Sequence, residues 1–318
     1  EAKKEYTKAM FDYAEYKVAY TVISPFSHIS DKQRSWNKLH RLTNDEDSDV
    51  RSRAAYAIGS TFSQIPEKQQ AWNDLVKLST DEDNDVRIWA VEVLGSVYPH
   101  VPNKQRAWND LIKLTSDQDS YTRYKAASTL GSAFSYMPDE CKQQAWNDLI
   151  KLTSDQDDYV KVNAYHSLGR IAIYKASQSR SDEAYLEELK KAIEFFEKAA
   201  NEPTWNNPSR FCFPFYSSFY IIICAKKQEA EDEITNYISE AKNAIEGSEN
   251  KKLLLEIVNN LANALKQVQY LENLDLEAMK DELNFYRKYC DRATRLMEDT
   301  NEKAPSAIEV LRKGFPIL

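Results

Sequence analysis

Carboxylates recur at every second residue in two places, Asp45-x-Asp47-x-Asp49 and Asp81-x-Asp83-x-Asp85. Such spacing opens a calcium loop, in which several oxygens converge on one hard cation. The loop also needs glycine at its sixth position and a carboxylate at its twelfth. Val50 and Val86 occupy the sixth, and only Glu92 supplies an acid at the twelfth. Acids just ahead of a helix also cap its free N–H groups and complement its dipole, which requires no metal. The four cysteines, Cys141, Cys212, Cys224 and Cys290, form no CxxC pair, so zinc and thioredoxin-type chemistry fail on spacing. A disulfide framework does not suit so long a chain, and a reducing, cytoplasmic setting is expected. His28, His40, His100 and His166 stand singly. GxGxxG, P-loop and nucleophile-elbow motifs are absent, and six glycines leave little for phosphate-cradling loops. The sequence therefore predicts no catalytic residues, no metal and no cofactor.

The tryptophans are the remaining candidates, as stacking platforms, and their spacing gives them another role. Trp36, Trp72 and Trp108 are 36 residues apart, and Trp146 follows after 38. Gly59, Gly95, Gly131 and Gly169 keep the same intervals, as do Leu39, Leu75, Leu111 and Leu149. The two extra residues lie where Glu67-Lys68-Gln69-Gln70 becomes Asp139-Glu140-Cys141-Lys142-Gln143-Gln144. A fixed period with one local insertion marks duplicated structural units.

Each unit reads as two helices. In the first, Ala71, Trp72, Leu75 and Leu78 share one face. After the acidic turn the second runs from Val86 to about Tyr98, with Val86, Ala90, Val93, Leu94 and Val97 on one side. Pro66, Pro102 and Pro138 then precede the next first helix, where a missing N–H costs little. Neither helix can bury its apolar face alone, so units must stack around a continuous core, with the tryptophans inside it. Tyr20, Phe26 and Ile29 lie 36 residues before Tyr56, Phe62 and Ile65, which makes 14–29 an incomplete leading unit.

The expected architecture is all-α: an α-solenoid of about four and a half helix-pair units over 1–178, then a C-terminal helical bundle or irregular solenoid continuation over 179–318. In the second part helical segments are expected at 182–201, 211–226, 227–246, 251–272 and 275–299, with a short one at 305–314. Asn201 to Arg210, containing Pro203 and Pro208, reads as a loop. The apolar run Phe211 to Ala225 is short of the roughly 20 residues a bilayer needs and contains Pro214, so it is read as a buried helix. No signal peptide and no membrane span are predicted. The start at Glu1 and the apolar end Phe315–Leu318 suggest a piece of a longer protein.

The net charge of −8 is uneven. Residues 1–180 hold 24 Lys and Arg against 25 Asp and Glu, and the remainder 18 against 25. Neither part offers the basic stripe that phosphate backbones require, which disfavours nucleic acid.

The run Asp47-Ser48-Asp49-Val50-Arg51 to Gly59, repeated as Asp83-Asn84-Asp85-Val86-Arg87 to Gly95, resembles the HEAT repeat, in its short phycobilisome-lyase-like form. The resemblance implies a right-handed superhelix with the second helices on its concave face. It also implies a ladder between units, joining an Asp near the turn to an Arg opening the second helix. Arg51, Arg87 and Arg123 keep the basic position and Lys161 weakens it. Tyr121 and Tyr159 replace Asp49 and Asp85, so the ladder is expected to be incomplete there. Iron enzymes built on HEAT repeats use His-Glu pairs, and no histidine here is followed by Glu. A bilin-lyase activity has only the family name behind it. Farther on, Ala192 to Ala199 resembles the second helix of a tetratricopeptide repeat.

Repeats within one chain act as an internal alignment: fixed positions maintain the stack, and variable ones are free for a partner. Trp89 corresponds to Arg53, Lys125 and Asn163; Ile88 to Ser52, Tyr124 and Val162; and Tyr56 to Glu92, Ser128 and His166. Arg53, Tyr56, Trp89, Tyr124, Lys125 and His166 are therefore the candidate partner-binding residues. The expected function is a non-catalytic scaffold or sensor module that binds a protein, with nucleic-acid binding as the alternative.

Overall fold

The computed structural model describes residues 32–204, 207–224, 230–270 and 275–298. The incomplete leading unit over 14–29, His28, the short helix at 305–314 and Phe315–Leu318 lie outside them. Thirteen α-helices and no strands occur among the described residues. The chain divides into two compact units after Val160.

The first unit alternates two kinds of helix. The first helices of the pairs are α1 (Lys32–Leu42), α3 (Lys68–Leu78), α5 (Lys104–Leu114) and α7 (Asp139–Leu152). The second helices are α2 (Ser48–Thr61), α4 (Asn84–Val97) and α6 (Ser120–Ala133), followed by α8 (Asp158–Ser177), within which the division falls. Single 3₁₀ turns, Tyr98–His100 and Phe134–Tyr136, end α4 and α6. Trp36, Trp72 and Trp108 are buried with the leucines three residues on, while Trp146 is half-buried. The repeated tryptophan thus packs between units, as its spacing predicts.

The acidic turns hold themselves together by hydrogen bonds. Asp45, Asp81, Asp117 and Asp155 each accept the backbone N–H two residues ahead, at 2.9 to 3.2 Å. The next acid caps the following helix: Asp47 for α2, Asp83 for α4 and Asp119 for α6. A second device closes the other end of the first two pairs. Lys104 donates to the carbonyls of Tyr98, Pro99 and Val101 at 2.7 to 2.9 Å, and Lys68, 36 residues earlier, to those of Ser63 and Ile65.

The ladder differs from the sequence expectation in the acid it uses and in its gap, which falls at Arg87: this side chain bonds the Asp81 and Glu82 carbonyls and Asn84 Oδ1 of its own unit. Arg51 forms a bidentate pair with Asp81 of the next unit, both bonds 2.8 Å, and its Nη1 donates to the carbonyls of Asp45 and Glu46. Arg123 does the same with Asp155, at 2.7 and 2.9 Å. The acid is the first of each turn, so Tyr121 in place of Asp49 leaves the Arg123 rung intact. Burial alone would raise the Asp81 carboxyl; hydrogen bonds from Arg51 and the Asp83 N–H, with the charges of Arg51 and Arg87, hold it below the usual carboxylate range. The Arg123 bond does the same for Asp155 against its burial.

Second helices of successive pairs make the most extensive contacts in this unit, and the repeated glycine permits them. A Cβ on Gly59 would lie 3.0 Å from Val93 Cγ1, and one on Gly95 2.6 Å from Thr129 Oγ1.

The second unit contains the rest of α8 with α9 (Asp182–Ala200), α10 (Ser209–Cys224), α11 (Ala230–Ala244), α12 (Lys251–Tyr270) and α13 (Leu276–Glu298). The apolar α10 is its centre, packed by α9, α11, α12 and α13. Phe211, Phe215 and Phe219, four residues apart, are fully buried. The Phe215 ring meets Tyr237 at 5.5 Å and Tyr286 at 5.3 Å, edge to face. No helix among the described residues is long and apolar enough to cross a membrane.

Gly169 on α8 extends the glycine series into this unit. A Cβ there would stand 2.6 to 2.8 Å from the ring of Phe196. That ring is buried and stacked on Tyr216 at 5.4 Å, so it has little room to retreat. Gly169→Ala is expected to lower stability by up to about 2 kcal/mol in chemical denaturation. Overpacking of about 1–3 kcal/mol outweighs the roughly 1 kcal/mol helix-propensity gain of alanine. A variant more stable than the parent would show that the ring can yield.

Candidate partner-binding face

Helices α2, α4 and α6 lie side by side, and each contributes polar and aromatic side chains to one strip. Tyr56 on α2 meets Trp89 on α4 edge to face, with ring centroids 5.3 Å apart. One repeat later the same slot carries charge: Glu92 Oε2 lies 3.6 Å from Lys125 Nζ on α6. Both contacts join residues 33 apart, so one geometry serves an aromatic pair in one step and an ion pair in the next. Trp89 and Glu92 are neighbours on the helix surface, three residues apart, which makes the strip continuous across α4.

On α6 the Lys125 ammonium lies 5.2 Å from the centre of the Tyr124 ring and 5.5 Å from that of Tyr121. The two rings are 5.3 Å apart. The lysine side chain is only 13% exposed, which is why its charge is shared between two π-faces and a carboxylate. Arg53, Tyr56, Trp89, Tyr121 and Tyr124 are all half-buried. Their aromatic edges are anchored, and a partner meeting them loses little side-chain freedom on their account.

Of the six residues singled out from the sequence, the structure joins Tyr56 to Trp89 and Tyr124 to Lys125, and places Arg53 on α2 one turn from Tyr56. His166 is a correction. It lies on α8 in the second unit and is 2% exposed. Its Nδ1 is 2.8 Å from Ser209 Oγ and its Nε2 3.3 Å from Thr294 Oγ1. It shares a register position with Tyr56 but is a core residue.

Two residues of the strip were not put forward from the sequence. Glu92 links α4 to α6, and Tyr121 forms the second wall around Lys125. The signal for Tyr121 was present, since it stands three residues before Tyr124 and four before Lys125 on one helix. A further repeated acid was overlooked on the first helices, at Asp74, Asp110 and Asp148. Asp110 accepts the indole N–H of Trp72 from the preceding pair at 3.1 Å, and Asp74 is 2.6 Å from His40 Nδ1. Both contacts connect neighbouring pairs and support the stack.

Among the described residues no group of three or more His, Cys, Asp or Glu is placed to hold a metal ion. Residues 37–131 match the family model of HEAT repeats. The all-helical repeat character read from the sequence is correct, and the match is to HEAT repeats in general, with no support for the phycobilisome-lyase-like form. The HEAT fold generally mediates protein interactions. No curated protein matches the chain. Similar solved structures include crystal structures of three engineered proteins. One is 21% identical, with 75% of this chain and 99% of the other covered and a TM-score of 0.39. The second is 19% identical, with 74% and 98% covered and a TM-score of 0.41. The third is 18% identical, with 86% and 71% covered and a TM-score of 0.39.

Proposed function

We propose that the protein is a non-catalytic scaffold whose HEAT-like array, residues 1–178, docks a protein partner on the face formed by its second helices. In the HEAT resemblance this is the concave side. The observation that carries the reading is the strip Tyr56–Trp89–Glu92–Lys125–Tyr124, half-buried aromatics interleaved with an ion pair. Interface cores are enriched in such aromatic anchors, and Trp and Tyr dominate the residues whose truncation is costly. A protein suits this strip better than nucleic acid, because its Lys125 is already engaged by Glu92 and by the rings of Tyr121 and Tyr124; outside the strip, the ladder arginines Arg51 and Arg123 are bonded to Asp81 and Asp155. The four cysteines are free thiols, which fits a reducing compartment such as the cytoplasm.

The test compares the double variant Trp89→Ala/Tyr124→Ala with Lys77→Ala/Lys113→Ala on the exposed side of the first helices. A partner captured by the parent chain is expected to bind the aromatic variant at least roughly tenfold more weakly, and the lysine variant unchanged. Circular dichroism must show both variants folded. Equal loss in both, or none in the aromatic variant, refutes the assignment. Salt-sensitive binding of DNA or RNA that survives Trp89→Ala/Tyr124→Ala would favour the nucleic-acid reading instead.

A further inference from the structure

The second unit contains a cavity of about 660 Å³ that the scaffold function does not use. That is within the usual size range of small-ligand sites. Phe213, with the buried Pro214 and Met297, gives it an apolar wall. Arg210, Glu240 and Glu246, all exposed, stand at its rim. Thr204 also lines it, and this residue is 5% exposed with its hydroxyl sealed from solvent and without a hydrogen-bond partner. A buried hydroxyl left unpaired costs free energy that a suitable group can recover.

The charges at the rim select the sign of that group. Helices α9 and α11 both end here, with Ala200, Asn243 and Ala244 in the lining, so two helix C-termini, each the negative end of its dipole, border the cavity. Arg210 spends its guanidinium on the α9 end, donating to the carbonyls of Ala200 at 3.2 Å and Glu202 at 2.9 Å. Glu246 is paired with Lys251 Nζ at 2.7 Å. Glu240 has no ion pair among the described residues, and Lys242, in the same last turn of α11, is not part of the lining. One uncompensated carboxylate and one helix C-terminus remain.

We infer that this cavity binds an organic monocation, an ammonium or guanidinium carried on an apolar body. The body packs on Phe213, Pro214 and Met297, and the cation faces Glu240 and the end of α11. A free amine and a basic side chain within a peptide share this chemistry. The inference is independent of the second-helix face of the first unit, since every residue it uses lies in the second.

The experiment is an NMR titration of the whole chain with phenethylammonium, the blocked dipeptide acetyl-Phe-Arg-amide, 2-phenylethanol and 3-phenylpropanoate. Millimolar phenethylammonium is expected to shift the amides of Thr204, Gly247 and Ser248. It should bind about tenfold more tightly than the alcohol or the anion. Glu240→Gln, at an exposed position, is expected to remove that preference while leaving the melting temperature unchanged. Thr204→Val is expected to weaken both cations without destabilising the fold. Tighter binding of the dipeptide identifies a peptide side chain as the natural occupant, and tighter binding of phenethylammonium a free amine. Equal affinity for 3-phenylpropanoate, an unaltered preference in Glu240→Gln, or no shift at those amides overturns the inference.

Discussion

Trp72→Ala is expected to destabilise the first unit by about 3–5 kcal/mol, the range for removing a large aromatic side chain from a packed core. Trp72 is fully buried, lies 6.2 Å from the Tyr98 ring, and donates its indole N–H to Asp110 of the next pair. Truncation leaves a cavity among the leucines and takes the donor from a half-buried carboxylate. Trp72→Phe separates these effects. It keeps most of the ring and loses the N–H, for which about 1–2 kcal/mol is expected. Because each pair is stable only through its neighbours, the alanine variant should also broaden the unfolding transition. Urea denaturation followed by helical circular dichroism measures both. A loss below about 1 kcal/mol for Trp72→Ala would mean that the stack does not depend on the repeated tryptophan.

Features set by one helix or one turn could be read from the sequence; features set between helices could not. The Trp-to-Leu spacing fixes the buried face of a helix whatever lies opposite, so α3 and α4 appear where their periodicity puts them. The apolar run of α10 was legible as a buried helix for the same reason, since its length and Pro214 are local facts. The ladder was not. Asp49 and Asp85 stand closest to their arginines in sequence, but the acids Arg51 and Arg123 use are 30 and 32 residues away, on the next turn of the stack. The recurrent glycine could be seen as a period but not explained, because its reason is the Cβ of Val93 or the hydroxyl of Thr129 on another helix.

The candidate site shows how far an internal alignment can be trusted. Comparing Trp89 with Arg53 and Lys125 assumes that each copy has the same surroundings, which holds across α2, α4 and α6. It fails at α8, where the 36-residue pattern ends. The register position that holds half-buried Tyr56 on α2 holds His166 on α8, enclosed by Ser209 and Thr294. A residue on the last copy of a repeat meets whatever follows, and the period carries no information about that.

His166 makes the second unit sensitive to acid. Thr294 Oγ1 donates to the Cys290 carbonyl at 2.8 Å, so toward the histidine it accepts, from Nε2–H. Nδ1 then accepts from the Ser209 hydroxyl. The neutral ring is satisfied at both nitrogens, and no further proton has a partner. Burial, with the charge of nearby Arg170, holds its pKa well below the usual 6.5. The unfolded chain takes up the proton near that ordinary value and the folded chain does not. The contribution is therefore complete above about pH 6.5 and declines by about 1.4 kcal/mol per pH unit below it, until the folded pKa is reached. His166→Gln removes the titration. The difference in unfolding free energy between parent and variant, measured from pH 7.5 down to about 5, should shrink along that slope. Carboxylates such as Asp155, held low by Arg123, are common to both proteins and cancel. A difference that stays constant with pH would mean that the folded ring takes up the proton at the same pH as the unfolded chain, with the Arg170 charge met by Asp291 at 3.0 Å.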